Sequence, residues 1–204
     1  MDQVKPGRTP RPLSRFGFVS FLLCFALLNS LFFSAMPRAY AQARDQRTST
    51  QLSEYEVKAA CLLNFTKFIE WPPAANQAGT PFVICVLGQD PFGPVLDQIV
   101  EGENVEDRPI VVRRISELTP DPCSILFISK SEHDAGRILS EVRQGVLTVG
   151  EMDGFLRLGG MIALVVENRR VRFDVDARAA SRGGFKLSSR LLNVARTVEN
   201  QGRQ

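Results

Sequence analysis

The sequence contains few of the residues from which metal and catalytic centres are built. Its 204 residues include one histidine, His133, and four cysteines that do not cluster. A structural zinc site needs four Cys or His ligands at short spacings, so we expect no metal site. His133 stands between Glu132 and Asp134 where a helix is predicted to begin, a position typical of a surface histidine rather than a general base.

Catalytic motifs are also missing. No serine stands in a G-x-S-x-G turn, and Gly88 and Gly93 lack the spacing and the lysine of a phosphate-binding Walker loop. Glu151 and Asp153, two residues apart beyond a predicted strand, offer a candidate acid–base pair. Acidic residues are common in turns after strands, so we expect a protein that is not an enzyme and needs no cofactor.

The N-terminal segment has the marks of an export signal. Basic residues precede an apolar run over residues 16–36, and Ala39-Tyr40-Ala41 supplies a small-residue cleavage site. We expect a signal peptide over residues 1–41, cleaved after Ala41. An uncleaved anchor is the alternative, because about 20 apolar residues can span a bilayer. The mature chain is then expected outside the cytoplasm, with a disordered N-terminus over residues 42–52.

Removing that leader changes the charge of the protein. The full chain has 25 Lys and Arg against 22 Asp and Glu, and residues 1–41 hold five of the former and one of the latter. The mature chain therefore carries 20 basic against 21 acidic residues, a net charge of −1. It lacks the basic excess typical of a nucleic-acid-binding domain. Its length suits one domain with a sizeable core.

Export also decides what the cysteines can do. Cys61, Cys85 and Cys123 remain in the mature chain, and an oxidising compartment permits one disulfide and leaves one thiol over. Three pairings are open. Cys85 lies in a predicted strand and Cys123 just before another, so neighbouring strands would bring them within reach. That bond would close a loop of about 38 residues, worth about 4 kcal/mol.

Residues 145–176 form the centre of the predicted fold. A β-branched run, Val146–Val149, ends at an acidic, glycine-rich loop. A second apolar run, Met161–Val166, is joined by a polar turn to the alternating segment Arg170–Asp174. Continuous apolar runs indicate strands buried on both faces, and alternation indicates a strand with one wet face. We expect the recognition site in the loop at the carboxyl end of the first strand.

A helix is predicted to precede this core. It begins at an S-x-x-E capping box, Ser53 to Glu56, and ends at the prolines after Trp71, which cannot continue it. We expect its apolar stripe to face the core rather than a ligand. The stripe consists of Val57, Cys61, Phe65 and Phe68, with Ala60 and Ile69 alongside.

Strands and helices alternate along the rest of the chain. Strands are predicted over 81–87, 109–114 and 124–128, and helices over 94–100 and 132–143. Ser129–Glu132 is expected to cap the second of these helices and Gly145 to end it. This order predicts a single α/β domain over residues 53–200, with a mostly parallel sheet, a C-terminal antiparallel hairpin and flanking helices.

The last element is predicted to be one helix, Phe185–Asn200. Its expected buried stripe is Leu187, Leu191, Val194, Ala195 and Val198. Lys186 and Arg190 would stack on another face, four residues after Arg182, and form a basic ridge with Ser188 that suits a phosphate or carboxylate. A solvated face is the alternative interpretation. The candidate ligand-binding residues are these four together with Glu151 and Asp153.

Several blocks of the chain together carry a family resemblance. They are VKAACLLNFTKFIEWP, FVICVLGQDPFG, CSILFIS, GVLTVGEMDGF, GGMIALV, VRFDVDARAA and GFKLSSRLLNVA. In this order, over about residues 53–198, they resemble the YfiR family of exported bacterial regulators. The resemblance implies a periplasmic repressor that binds the periplasmic sensor region of an inner-membrane diguanylate cyclase, lowering cyclic di-GMP and biofilm formation.

The resemblance also implies a homodimer and a disulfide of the kind considered for Cys85 and Cys123. A second disulfide found in the family has no counterpart, because no cysteine flanks residues 150–170. Ligand contacts proposed for the family would fall around Lys186 and Ser188. The alternative function is a periplasmic small-ligand sensor or carrier for an anionic ligand.

Overall fold

The computed structural model describes residues 54–73 and 79–199, which all lie in one compact unit, Thr50–Gln204. The predicted signal peptide, the predicted disordered segment 42–52 and the Ser53 end of the capping box lie outside the described residues. Those expectations therefore stay predictions.

A large sheet organises the unit. Its strands are β2 (Phe82–Leu87), β3 (Asn104–Val105), β4 (Arg108–Ile115), β5 (Ile125–Ile128), β6 (Leu147–Gly150), β7 (Ile162–Glu167), β8 (Arg170–Asp176) and β10 (Thr197–Glu199). Their order in space is β10-β8-β7-β6-β5-β2-β4-β3. Neighbours run parallel except for the pairs β7–β8 and β3–β4. The predicted mostly parallel sheet with an antiparallel hairpin is confirmed.

Helices cover both faces of this sheet. They are α1 (residues 54–68), α2 (Pro94–Val100), α3 (Ala135–Glu141), α4 (Ala177–Arg182) and α5 (Ser189–Val194), with a 3-10 helix at Phe155–Leu158. A second sheet of two strands pairs β1 (Ile69–Glu70) with β9 (Lys186–Leu187). Among the described residues, no helix is long and apolar enough to cross a membrane.

The central strands divide the core into two layers. Every residue of β2, β5 and β6 is buried, as expected for parallel strands covered on both faces. Because side chains alternate along a strand, Phe82 and Ile84 join Phe65 of α1 in one layer. Cys85 joins Ile138 of α3 in the other.

The buried face of α1 differs from the predicted stripe. Phe65 is buried as expected, but Val57 is 45% exposed, and Cys61 and Phe68 are half-buried. The observed buried face consists of Tyr55, Lys58, Ala59, Leu62, Phe65 and Thr66. The helix is rotated relative to the prediction because its core-facing side carries a lysine. A prediction based on the spacing of apolar residues does not include that lysine.

The single C-terminal helix was a wrong prediction. Residues 185–199 instead form β9, α5 and β10. The Ser188 side chain accepts a hydrogen bond from Leu191 N and so starts a new helix. Arg196 N then donates to Phe173 O at 2.8 Å, and the chain continues as a parallel edge strand beside β8. Val194, expected in the buried stripe, is 61% exposed.

The helix predicted over 132–143 is shorter than expected. It spans Ala135–Glu141, and its cap residue Asp134 makes no side-chain capping bond. Ser129 instead holds a turn, accepting a hydrogen bond from Glu132 N at its backbone oxygen. Gly145 has a φ of 82° but lies past the end of the helix, in the turn that leads into β6.

The predicted pairing of Cys85 with Cys123 is confirmed. The two Cα atoms are 5.8 Å apart, within the range that a disulfide spans. Cys85 lies on β2, Cys123 lies two residues before β5, and these strands are neighbours. Cys61 is a free thiol whose pKa is raised by burial.

Removing the disulfide should lower the free energy of unfolding by about 4 kcal/mol, because the 38-residue loop gains conformational freedom in the unfolded chain. We expect this loss for Cys85→Ala/Cys123→Ala in urea unfolding. The control Cys61→Ala removes a thiol that closes no loop. Equal free energies of unfolding for the double variant and the wild type in oxidising buffer would contradict the prediction.

Candidate functional site

The carboxyl end of the central strand β6 leads into a buried ionic cluster. Glu151 follows β6 directly, and its side chain is 2% exposed. Its Oε2 lies 2.6 Å from Lys58 Nζ, and the Tyr55 hydroxyl donates to both carboxylate oxygens at 3.1 and 3.3 Å. The predicted recognition loop is therefore bound to α1 by side chains of this protein.

Lys58 bridges two carboxylates. Besides Glu151, its Nζ contacts Glu54 Oε1 at 2.5 Å, one helical turn away. The Lys58 side chain is 4% exposed and that of Glu54 is 29% exposed. The ammonium also lies 4.5 Å from the centre of the Tyr55 ring. One cation thus serves two anions, so the cluster depends on Lys58.

Tyr55 completes the cluster as a neutral donor. Burial, and then the neighbouring Glu151 carboxylate, raise the pKa of its hydroxyl above the usual value. The ring stands edge-on to Phe92 at 5.6 Å, and Phe92 stands edge-on to Phe127 of β5 at 4.8 Å. This aromatic column connects the polar cluster to the apolar core.

Two glycines shape the loop after β6. The Phe155 ring packs against the backbone of Gly150 and Gly160, where a side chain would collide with it: a Cβ on Gly150 would lie 2.5 Å from that ring. Glycine is therefore required at both ends of the loop. The packed ring anchors the loop, and Glu151 follows Gly150 directly.

The two predicted acidic residues do not act as a pair. Glu151 is turned into the cluster, whereas Asp153 is exposed to solvent. Within residues 54–73 and 79–199, no group of three His, Cys, Asp or Glu side chains is placed to hold a metal ion. The arrangement fastens a helix to a strand end, which is a structural role.

The predicted basic ridge is divided among several elements. Arg182 ends α4, Lys186 lies on β9 and pairs with Glu70 at 3.2 Å, and Arg190 is exposed on α5. Ser188 is occupied as the N-cap of α5. The ridge as one helix face was therefore wrong, and ligand binding by these residues stays a prediction.

One of these residues does line a groove. Arg182 and Arg143 border an open cavity of about 310 Å³ near the amino end of β6. Its apolar lining includes Val142, Val146 and Met161. Two cations beside apolar side chains suit a small amphipathic anion.

Lys58 and Tyr55 were not singled out from the sequence. Both belong to the face defined by Ala59 and Leu62, at spacings of three and four residues. A lysine at such a position is a signal of a buried ion pair, since lysine is rarely buried unpaired. Its partner Glu151 is 93 residues away, and local spacing cannot identify it.

Comparisons with known proteins identify a family. A family model described as YfiR/HmsC-like matches residues 55–196. No curated protein matches the chain. Among solved structures, the ABC domain in complex with L-Trp from Streptococcus pneumonia aligns at 7% identity over 58% of this chain, with a TM-score of 0.44. The match spans 55% of that domain's chain, and a likeness this distant carries no argument.

Replacing Lys58 should destabilise the fold strongly. Lys58→Met leaves the buried Glu151 carboxylate without a cation, and removing one member of a buried pair costs about 3–5 kcal/mol. We expect this loss in chemical unfolding. Lys67→Met is the matched control on the same helix, because its pair with Glu103 is exposed and contributes below about 1 kcal/mol. Equal losses in the two variants would show that the cluster does not fasten the helix.

Proposed function

Because the chain belongs to the YfiR/HmsC-like family, whose members regulate diguanylate cyclase signalling, we propose that it is a periplasmic repressor of an inner-membrane diguanylate cyclase. It is exported with a cleaved leader, residues 1–41. It binds the periplasmic sensor region of the cyclase, lowers cyclic di-GMP and so limits biofilm formation. The observation that carries this proposal is the family match over residues 55–196.

The proposed mechanism is a shift between two states of the partner. A regulator represses only as far as it binds the inactive state more tightly than the active one. Such discrimination requires a surface of fixed shape. The disulfide between Cys85 and Cys123 and the Lys58–Glu151 pair support this requirement, since each fixes a peripheral segment to the sheet. We propose a homodimer as the working form.

The partner and the compartment can be tested together. Deleting the gene should raise cellular cyclic di-GMP, and the full chain should restore the low level. The matched control is the same chain without residues 1–41, which stays in the cytoplasm and should not restore it. The purified chain from Gln42 should co-elute with the periplasmic domain of the cyclase. Full rescue by the leaderless chain would overturn the periplasmic mechanism.

A second candidate function is sensing of a small anion in the groove beside α4. The observation that favours it is the placement of Arg182 and Arg143 beside apolar side chains in one open cavity. Arginine guanidinium groups bind carboxylates and phosphates with directed hydrogen bonds. This function is compatible with repression, because a ligand that prefers one state of the regulator changes the affinity of the regulator for its partner.

Octanoate is a suitable probe for the groove, with octanamide as its neutral counterpart. At about 100 times its Kd, a bound anion adds about 2.7 kcal/mol of stability, which raises the Tm of a chain of this length by about 5–10 °C. We expect the rise for wild type and for Arg178→Gln, an exposed control on the same helix. We expect none for Arg182→Gln. An equal rise with octanamide would exclude an anion site.

A further inference from the structure

The β7–β8 hairpin extends beyond the core. Leu164 and Phe173 are the last pair buried on both strands, and three further cross-strand pairs follow before the turn. At about 3.4 Å per residue, this projects the tip about 10 Å past the core. The turn residues Asn168 and Arg169 have φ values of 50° and 61°, the geometry of a tight two-residue hairpin.

The projecting tip, residues 165–172, is here called the arginine hairpin. Arg169, Arg170 and Arg172 are exposed, and in the described part of the chain none of them makes an ion pair. Val166 is 49% exposed and faces Val171 across the strands. The tip therefore presents three free cations around a small apolar patch.

The two acidic residues near the tip share one cation. Arg196 Nη1 lies 3.3 Å from Glu167 Oε1, and its Nε donates to Asp174 Oδ1 at 2.8 Å. These bonds brace the base of the hairpin from the residue that precedes β10. Four arginines at the tip and base outnumber these two carboxylates, so the hairpin keeps a net positive charge.

Basic and acidic residues are also unevenly distributed between two parts of the chain. Residues 167–199, which run from the tip of the β7–β8 hairpin to β10, contain eight Lys and Arg against four Asp and Glu. The described residues before them contain nine against sixteen. The small net charge of the chain is the sum of a part with net negative charge and a part with net positive charge. The positive part contains the arginine hairpin.

We propose that the arginine hairpin docks on an anionic phospholipid surface. Basic side chains near such a surface each strengthen binding about fivefold, and the exposed Val166 can enter the headgroup region. The tip is convex, and a fluid lipid surface accommodates a convex tip, whereas a protein partner needs a matching cavity. The choice of a membrane rests on the proposed function, which places the chain beside the inner membrane.

Sedimentation with vesicles tests the proposal without a cyclase, so it can fail independently of the proposed function. The probes are vesicles of phosphatidylcholine alone and of an equal mixture with phosphatidylglycerol. We expect the chain from Gln42 to bind only the mixture, and less as salt screens the charges. The variant Arg169→Asn/Arg170→Gln/Arg172→Gln should bind about 100-fold less. Asparagine suits the positive φ at position 169.

The matched control removes the same charge elsewhere. Lys130→Gln/Arg137→Gln/Arg157→Gln changes three exposed residues away from the hairpin and should retain wild-type binding. Val166→Ser/Val171→Ser should weaken binding by an amount that salt does not change. Failure of wild type to bind the mixed vesicles at low salt, or equal losses in the two triple variants, would overturn the proposal. So would a hairpin variant that loses the cyclase domain but keeps its vesicle binding, since the tip would then face an acidic protein.

Discussion

The ion pair between Lys58 and Glu151 fixes how the first helix sits on the sheet. An apolar stripe alone tolerates small rotations and slides of a helix, because contacts between hydrocarbon surfaces are not directional. A buried ammonium and carboxylate are different, since each is costly to bury unless the other is within hydrogen-bond distance. Only one placement of α1 closes the 2.6 Å contact at the end of β6. That placement brings Phe65 against Phe173 and directs Trp71 between Phe82 and Phe185.

How far the sequence predicts this structure depends on the range of the interactions. The strands at Phe82–Leu87 and Leu147–Gly150 were predictable because a continuous apolar run is local information. The rotation of α1 was not, since Lys58 becomes a core residue only through a glutamate far along the chain. The C-terminal helix failed for the same reason: its apolar spacing was real, but bonds from Arg196 to Phe173 and Asp174 draw the chain into a strand. Of the candidate ligand residues, one acidic side chain lies in the core and the other is exposed to solvent. The three basic side chains lie on three different elements.

The charge distribution shows why a net value is a poor guide to partners. A mature net charge near zero is the basis for expecting no nucleic-acid-binding domain, which needs a basic excess. Yet the sheet order places the basic C-terminal quarter at one end and the acidic α2–β4 region towards the other. A protein with separated charges is oriented by an external field even when its net charge is small. A negatively charged membrane surface supplies such a field.

Membrane contact and repression make different physical demands. Lipid binding by the arginine hairpin cannot by itself repress a cyclase, because it does not distinguish the active from the inactive state of the partner. It confines the regulator to the surface where the sensor region lies and so raises its effective concentration there, as a tether does. Weak binding to lipid then increases the apparent affinity of the weak but state-selective contact with the partner protein. Salt screens exposed charges and leaves apolar contacts intact. The contributions of lipid binding and partner binding can therefore be separated by ionic strength. The lipid contribution falls as the salt concentration rises, whereas the apolar part of the partner contact remains.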